Sequence, residues 1–581
     1  MGSGFTVRIG GAAGDGIASA GESLARVCSR SGLHLFAYNS YQSVIRGGHV
    51  WFQVRASDAG PVESLGEKLD LLVALNEETA AYWLPLIRPG GGLLYDRGAF
   101  KPELPPRVRD LGMDLAETAR KFSEDTILRN TVALGATVHL LGLRLQTLEE
   151  MVEQTFHHKG REVIGSNTGA IREGHGFARQ NFPEPLARPR LDPGKRRPLL
   201  TGNQAVGLGA LAGGCKFYAA YPMTPASTVL HYLSVKGPPH GMVVKQAEDE
   251  LAVVNMAIGA GFAGARALCG TSGGGFALMT EAVGMAGMAE VPVVIFESQR
   301  GGPSTGLPCK TEQGDLNQVL GASQGDYPRC VIAPGDVADA YRATVEALNI
   351  ADRYQMPVIV MSDFYLSEHY RTLDGLDFPV PVERGEFARE GGGDFKRYRF
   401  TDSGVSPRVL PGTPEKMFVA GTDEHDESGN LLSDVLSGLP GHVETRAKMM
   451  EKRMRKVETL LRELPPPKLE GPSRADATLV CWGSTLGTLR EALGLLREAG
   501  IPANLLHLRY VVPFHGKEVA AILGKAKTTV MVENNYSGQM ERHLRAETGV
   551  AVDGRVRKWD GEPFIAEEVA ARVGAVLEEV G

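Results

Sequence analysis

The sequence predicts an α/β protein made of three α/β domains, and three observations support that reading. The chain has 581 residues, well past the length at which a single hydrophobic core stops growing. Strand-like apolar runs alternate with helical patterns in three separate stretches, as in parallel sheets covered by helices. Glycine supplies 72 of the residues, about 12% against a usual ~7%. It clusters directly after strand-like runs, where tight turns and backbone-lined ligand sites need it.

The first stretch, 1–185, opens with a strand over Phe5–Ile9. A loop holding Gly10, Gly11, Gly14 and Gly16 follows, then a helix through Ala20, Leu24 and Val27. That strand, turn and helix form the opening unit of an α/β domain. His34–Ala37, Val50–Val54, Leu71–Ala74 and Gly92–Tyr95 read as further strands of a mostly parallel sheet. Glu77–Leu84 reads as a helix between them, and Leu134–Leu145 and Leu148–Phe156 as the helices that close the domain. Residues 186–200, rich in proline and basic side chains, read as a linker.

In the second stretch, 201–375, Phe217–Ala220, Met242–Lys245, Arg266–Cys269, Val291–Phe296, Arg329–Ile332 and Val358–Met361 read as strands. The near-continuous apolar character of Met356–Asp363 marks a strand covered on both faces. The pattern weakens over 376–472, an irregular extension ending in a charged amphipathic helix, Lys448–Leu464, read as a solvated bridge. The third stretch, 473–581, carries a strand at 477–481, a helix over Leu486–Ala499, and strands over Ala503–Leu508 and Thr528–Glu533.

Charge and cysteine usage exclude several classes. The net charge of −7 lacks the basic surplus of a phosphate-tracking protein, so no nucleic-acid partner is expected. No apolar run reaches the ~18 residues of a membrane span, and no basic-then-apolar opening marks a secretory signal. The six cysteines form no C-x-x-C pair. A zinc knuckle, a cluster bound by this chain or a disulfide framework is therefore not expected. Six reduced thiols fit a cytoplasmic chain that holds no metal of its own.

Four segments carry chemistry. In Tyr221–Ser227 (YPMTPAS), two prolines hold Thr224 rigidly after the strand Phe217–Ala220, at a strand end where α/β folds place ligands; a plain strand-to-helix turn is the bland alternative. Glu248, Asp249 and Glu250 stand at the head of a helix rich in Ala and Gly, where acids either cap the helix or face a ligand. Gly270–Ala282 (GTSGGGFALMTEA) is a glycine turn between strand and helix without the Walker spacing. Arg300, in the loop Glu297–Pro308, has the chemistry to anchor a carboxylate.

In this order, the four segments resemble the α chain of 2-oxoacid:ferredoxin oxidoreductases, the 2-oxoglutarate type in particular. The resemblance identifies 201–375 with the family's thiamine-pyrimidine-binding domain. Residues 1–185 are similar to its γ domain, through IGGAAGDGI and SYQSVIRGGHVWFQVR. Residues 473–581 are similar to its transketolase C-terminal-like domain, through His507–Phe514 and Val532–Met540. It implies thiamine diphosphate shared with a separate β subunit that carries Mg2+ and a [4Fe-4S] cluster. Further implications are ferredoxin as electron acceptor, coenzyme A as acyl acceptor and an (αβ)2 assembly.

By the same resemblance, Glu250, with Glu248 as the other candidate, contacts the aminopyrimidine ring. Tyr221, Pro222 and Met223 line the cofactor. Thr224 and Arg300 hold the substrate, and Ser43, Arg46 and Gly47 are candidates for coenzyme A. The implied reaction takes 2-oxoglutarate, coenzyme A and oxidised ferredoxin to succinyl-CoA, CO2 and reduced ferredoxin, and it is reversible toward CO2 fixation. A pyruvate or branched-chain 2-oxoacid enzyme, or a non-catalytic scaffold chain, is the alternative. Cys309 stands where close relatives are expected to carry threonine.

Overall fold

The structure, a computed structural model, describes residues 4–40, 48–124, 128–388, 395–432 and 439–580. By contact, the chain divides into two units. One comprises 1–201 with 368–376 and 565–567; the other comprises 202–367, 377–564 and 568–581.

The first unit is built on an eight-stranded sheet. Its strand order is Arg109–Asp110, Ile87–Tyr95, Leu69–Ala74, Gly4–Ala12, His49–Ser57, His34–Ser40, Tyr370–Thr372 and Leu199–Thr201. The first four strands are parallel to one another, and every later pairing is antiparallel. The expectation of a mostly parallel sheet is thereby corrected. Only residues 41–48 separate His34–Ser40 from His49–Ser57, too few for the crossover that a parallel pair requires.

A helix over Arg161–Asn181, absent from the sequence reading, closes the unit against Arg129–Leu140. Its four glycines disguise it in sequence, and close backbone packing accounts for one of them. A Cβ on Gly174 would lie 2.0 Å from the carbonyl oxygen of Val132, and one on Gly135 of the facing helix 2.2 Å from that of Ile171. The two backbones meet at distances only glycine permits.

In the second unit, a seven-stranded sheet runs Tyr510–Val512, Cys330–Ile332, Pro357–Asp363, Val293–Gln299, Ala267–Thr271, Phe217–Ala220 and Val243–Gln246. All its pairings are parallel except the first. A five-stranded sheet follows in the order Leu469–Glu470, Ala503–His507, Ala477–Cys481, Thr529–Glu533 and Gly554–Arg557. Tyr510–Val512 crosses into the larger sheet, and one buried cluster contains Val331 and Ile359 of one sheet with Val480 and Leu506 of the other. This shared core explains why the two regions hold together as one unit.

The extension also differs from its reading. Its helix spans Pro440–Glu463, and the stripe Met449, Lys452, Arg453, Lys456 and Leu460 is buried rather than solvated. Lys452 and Lys456 both pair with Glu290, at 2.6 and 2.5 Å, and all three are fully or almost fully buried. Arg453 forms a two-pronged pair with Glu424 at 2.9 and 2.8 Å. Burial alone would raise the pKa of Glu290; Lys452, Lys456 and Arg397 outweigh it and hold the carboxyl well below its ordinary range. Burial brings Lys456 down to about 7 against the pull of Glu290.

A charge set of this kind is costly to break from one side, because the remaining charges stay buried without partners. Glu290→Ala is expected to destabilise the protein by about 3–5 kcal/mol, read as a fall in the denaturation midpoint. Replacing Lys452 and Lys456 by Met in the same background should recover much of that loss.

Candidate active site

The site lies at the C-terminal ends of the parallel strands Phe217–Ala220, Ala267–Thr271 and Val293–Gln299. In α/β sheets the free backbone groups and helix starts converge there. Strand Phe217–Ala220 delivers Tyr221–Pro225, in which the Thr224–Pro225 peptide is cis. Thr224 is half-buried, while Tyr221 and Pro222 are exposed and Met223 is intermediate. Strand Val293–Gln299 delivers Arg300, whose Nη1 donates to the carbonyl oxygen of Thr224 at 2.8 Å. Two residues 76 positions apart are thus brought together. Burial lowers the pKa of Arg300, while Cys309 and Asp315 oppose that shift.

The three acids at 248–250 take three different roles. Asp249 caps the helix Glu250–Phe262, its Oδ1 accepting from the Ala252 amide at 2.7 Å. Glu248 is exposed. Glu250, the first helical residue, is buried, and its Oε1 has no hydrogen-bond partner. Burial raises its pKa; its own amide and the Thr271 hydroxyl oppose the rise and Asp249 adds to it. The carboxyl sits against the first turn of the helix Gly273–Met288. There a Cβ on Gly275 would lie 2.4 Å from Glu250 Oε1 and 2.1 Å from Thr271 Oγ1. The glycine run is therefore the space that the Glu250 carboxyl occupies.

A second set of acids, not singled out from the sequence, lies beside this one. Glu297 is paired with Thr271 in the sheet register and is fully buried, with no hydrogen-bond donor on either oxygen. Burial, then Asp315 and Asp363, push its pKa well above the ordinary carboxylate value. Burial moves Asp315 up to about 6 and Glu312 to about 7. Asp315 lies at the start of the Gly273–Met288 helix, where a Cβ on Gly273 would lie 2.3 Å from its carboxyl. The signal available in the sequence was an acid, Glu297, inside an otherwise apolar strand.

The segment bearing Glu312 and Asp315 is fastened from the smaller sheet. Gln313 donates its amide N–H to the Asn534 carbonyl at 2.6 Å and accepts from the Asn534 amide at 3.0 Å. Its side-chain nitrogen donates to the Trp482 carbonyl at 2.9 Å. The landmark Val532–Met540 is explained in part by this contact and in part by capping. Glu533 accepts from the Met540 and Glu541 amides, and Asn535 from the Gly538 amide.

Ser43, Arg46 and Gly47 lie outside the described residues. Gly14 and Gly16 adopt positive φ in the turn before the first helix, with Asp15 Oδ2 accepting from the Ala12 amide at 3.0 Å. Among the described residues, no three His, Cys, Asp or Glu side chains gather in a metal-holding arrangement. No helix among them is long and apolar enough to cross a membrane.

A buried carboxyl with one unpartnered oxygen, beside strand ends that also carry a backbone-anchored guanidinium, is the chemistry that the pyrimidine ring of thiamine would need. The donor set fits such a cofactor, because Glu250 offers an orphan oxygen to a ring nitrogen in a water-poor wall. Family models agree. "Pyruvate flavodoxin/ferredoxin oxidoreductase, thiamine diP-bdg" matches residues 208–434, "Pyruvate ferredoxin/flavodoxin oxidoreductase" matches 6–177, and "Pyruvate:ferredoxin oxidoreductase core domain II" matches 475–569. The chain belongs to the 2-oxoacid:ferredoxin oxidoreductase α-subunit family. It is 32% identical to the 2-oxoacid:ferredoxin oxidoreductase subunit alpha of Sulfolobus sp, over 98% of this chain and 96% of that one. It is 29% identical to the 2-oxoglutarate oxidoreductase subunit KorA of Mycobacterium tuberculosis, over 98% and 91% respectively. The solved 2-oxoglutarate:ferredoxin oxidoreductase from Magnetococcus marinus, with 2-oxoglutarate, coenzyme A and succinyl-CoA bound, matches 99% of this chain and 100% of its own. Its TM-score is 0.92 at 34% identity.

Gly275→Ala tests the geometry of the carboxyl. Its methyl would push Glu250 Oε1 aside without adding or removing a charge. The expected result is a fall in kcat of about 10²-fold, the cost of misplacing a catalytic group by about 1 Å, with the melting temperature within a few degrees of the parent.

Proposed function

We propose that this chain is the α subunit of a 2-oxoglutarate:ferredoxin oxidoreductase. The enzyme converts 2-oxoglutarate, coenzyme A and oxidised ferredoxin to succinyl-CoA, CO2 and reduced ferredoxin, and it can run in reverse. The observation that carries the reaction class is the buried carboxyl of Glu250, whose Oε1 has no hydrogen-bond partner. The choice of 2-oxoglutarate is supported by the full-length likeness to the Magnetococcus marinus enzyme.

Thiamine diphosphate, when bound, supplies a nucleophilic carbon toward the keto group and an electron sink for decarboxylation. Glu250 holds a proton at the pyrimidine ring, and burial favours the protonated form of its carboxyl. Arg300 takes the substrate carboxylate in a charge-assisted bond, because one guanidinium N–H is fixed on Thr224 and its orientation is set. The Thr224 hydroxyl orients the substrate oxygen. Tyr221, Pro222 and Met223 line the same wall.

A second chain is supported by the two helices that begin at the site. Leu251, Met256 and Phe262 of one helix and Leu278 of the other are exposed apolar side chains, and exposed apolar surface of this kind marks a face that a partner covers. We assign that cover to a β subunit carrying the diphosphate site with Mg2+ and a [4Fe-4S] cluster, which passes two electrons singly to ferredoxin in an (αβ)2 assembly.

The test is a tagged purification of this chain from its native host, followed by viologen reduction with thiamine diphosphate, coenzyme A and either 2-oxoglutarate or pyruvate. A brown co-purifying second chain and turnover of 2-oxoglutarate are expected. Turnover of pyruvate alone would overturn the substrate, and an active preparation holding only this chain would overturn the β partner. In the same assay, Arg300→Gln should raise KM for the 2-oxoacid more than tenfold, the scale set by a charge-assisted bond of about 1.5–3 kcal/mol.

A further inference from the structure

The outward half of the Val532–Met540 segment has no part in the reaction described above. Glu533 and Asn535 turn inward to cap the helix Gln539–Thr548, which leaves Tyr536 projecting from the surface at 70% exposure. Tyr536 and Trp559 meet edge to face at 5.1 Å between centroids, and Trp559 is 54% exposed. The two rings and Arg542, Arg555, Arg557 and Arg572 line a cavity of about 430 Å³.

Charge in this cavity is not balanced. Glu541 pairs with both Arg555 and Arg557. Arg572 has only Glu568, which also serves Lys558. Arg542 makes no side-chain hydrogen bond or ion pair among the described residues, and the buried Nε of Arg557 has no partner. Four guanidiniums thus face two carboxylates, one of them shared. The positive φ of Gly538 and its missing side chain let Arg557 fold over the loop, since a Cβ there would lie 2.4 Å from Arg557 Nη2.

We propose that this cavity is a binding site for the phosphorylated end of a nucleotide. The phosphates lie on Arg542 and Arg555, and the base stacks on Trp559 and Tyr536. Guanidinium forks match phosphate oxygens in charge and shape, and an exposed aromatic face stacks any base. The volume is in the range of small-molecule sites. The loop bearing Trp559 also reaches toward the catalytic loop. The Gly561 carbonyl accepts from the Thr311 amide at 3.0 Å, and a Cβ on Gly561 would lie 3.1 Å from Leu307. A free adenine nucleotide and the nucleotide end of coenzyme A share this chemistry.

The experiment is calorimetric titration of the assembled enzyme with ADP, pyrophosphate, adenosine and coenzyme A. ADP should bind saturably, and more tightly than pyrophosphate or adenosine. Arg542→Ala with Arg555→Ala, and separately Trp559→Ala, should each weaken it by about tenfold or more, with Trp559→Phe retaining most of the affinity. If coenzyme A competes with ADP and loses affinity in the same variants, the natural source is the coenzyme; if it does not, the source is a free nucleotide. The proposal is overturned if neither ligand responds to these substitutions, or if pyrophosphate binds as tightly as ADP and Trp559→Ala changes nothing. It is equally overturned if the assembled enzyme binds no nucleotide because another protein covers the cavity.

Discussion

A carboxyl removed from water at the start of a helix is pulled in two directions. The helix N-terminus favours its charged form, while burial favours its neutral form. Glu250 is in this position, and in it burial prevails. The neighbouring structure can be understood from that constraint. Asp249 takes over the capping bond, so Glu250 is free of it. Gly275 gives up its side chain so that the carboxyl has room.

The same economy governs the second carboxyl layer. Glu297 and Asp315 lie where the strand ends and the Gly273–Met288 helix begins, with burial raising the pKa of both. The segment between them is held because Gln313 donates its peptide N–H to the Asn534 carbonyl, while its side chain accepts from the Asn534 amide and donates to the Trp482 carbonyl. The smaller sheet therefore fastens the segment that bears Glu312 and Asp315. Farther out, the Glu290–Lys452–Lys456 set fixes the helix of the extension to the same body by charge rather than by apolar packing.

Much of this was legible in the sequence, for identifiable reasons. Strand, glycine turn and helix recur with short spacing, so the elements carrying Thr224, Glu250 and Arg300 could be placed from residues alone, and the structure brings Thr224 and Arg300 into contact. Long-range facts were not legible. The helix Arg161–Asn181 looks like a loop because it holds four glycines, and the reason for Gly174 lies in the facing helix, against Val132. The antiparallel half of the first sheet depends on Tyr370–Thr372, which joins strands formed by the first forty residues and by 199–201. Lys452 and Lys456 resemble solvent-facing charges until Glu290, more than 160 positions away, is seen between them. Glu297 carried a signal, an acid following the apolar run Val293–Phe296, but its neighbours Asp315 and Asp363 lie on other segments and gave that signal no local context.

The central claim is that the Glu250 carboxyl sets the protonation of the cofactor. The most direct measurement is hydrogen–deuterium exchange at the thiazolium C2 position of thiamine diphosphate bound to the assembled enzyme, comparing Glu250→Gln with the parent. The account expects the cofactor to stay bound and the exchange rate to fall by about 10²–10⁴-fold, the usual contribution of a positioned acid–base group. An unchanged exchange rate with bound cofactor would contradict it.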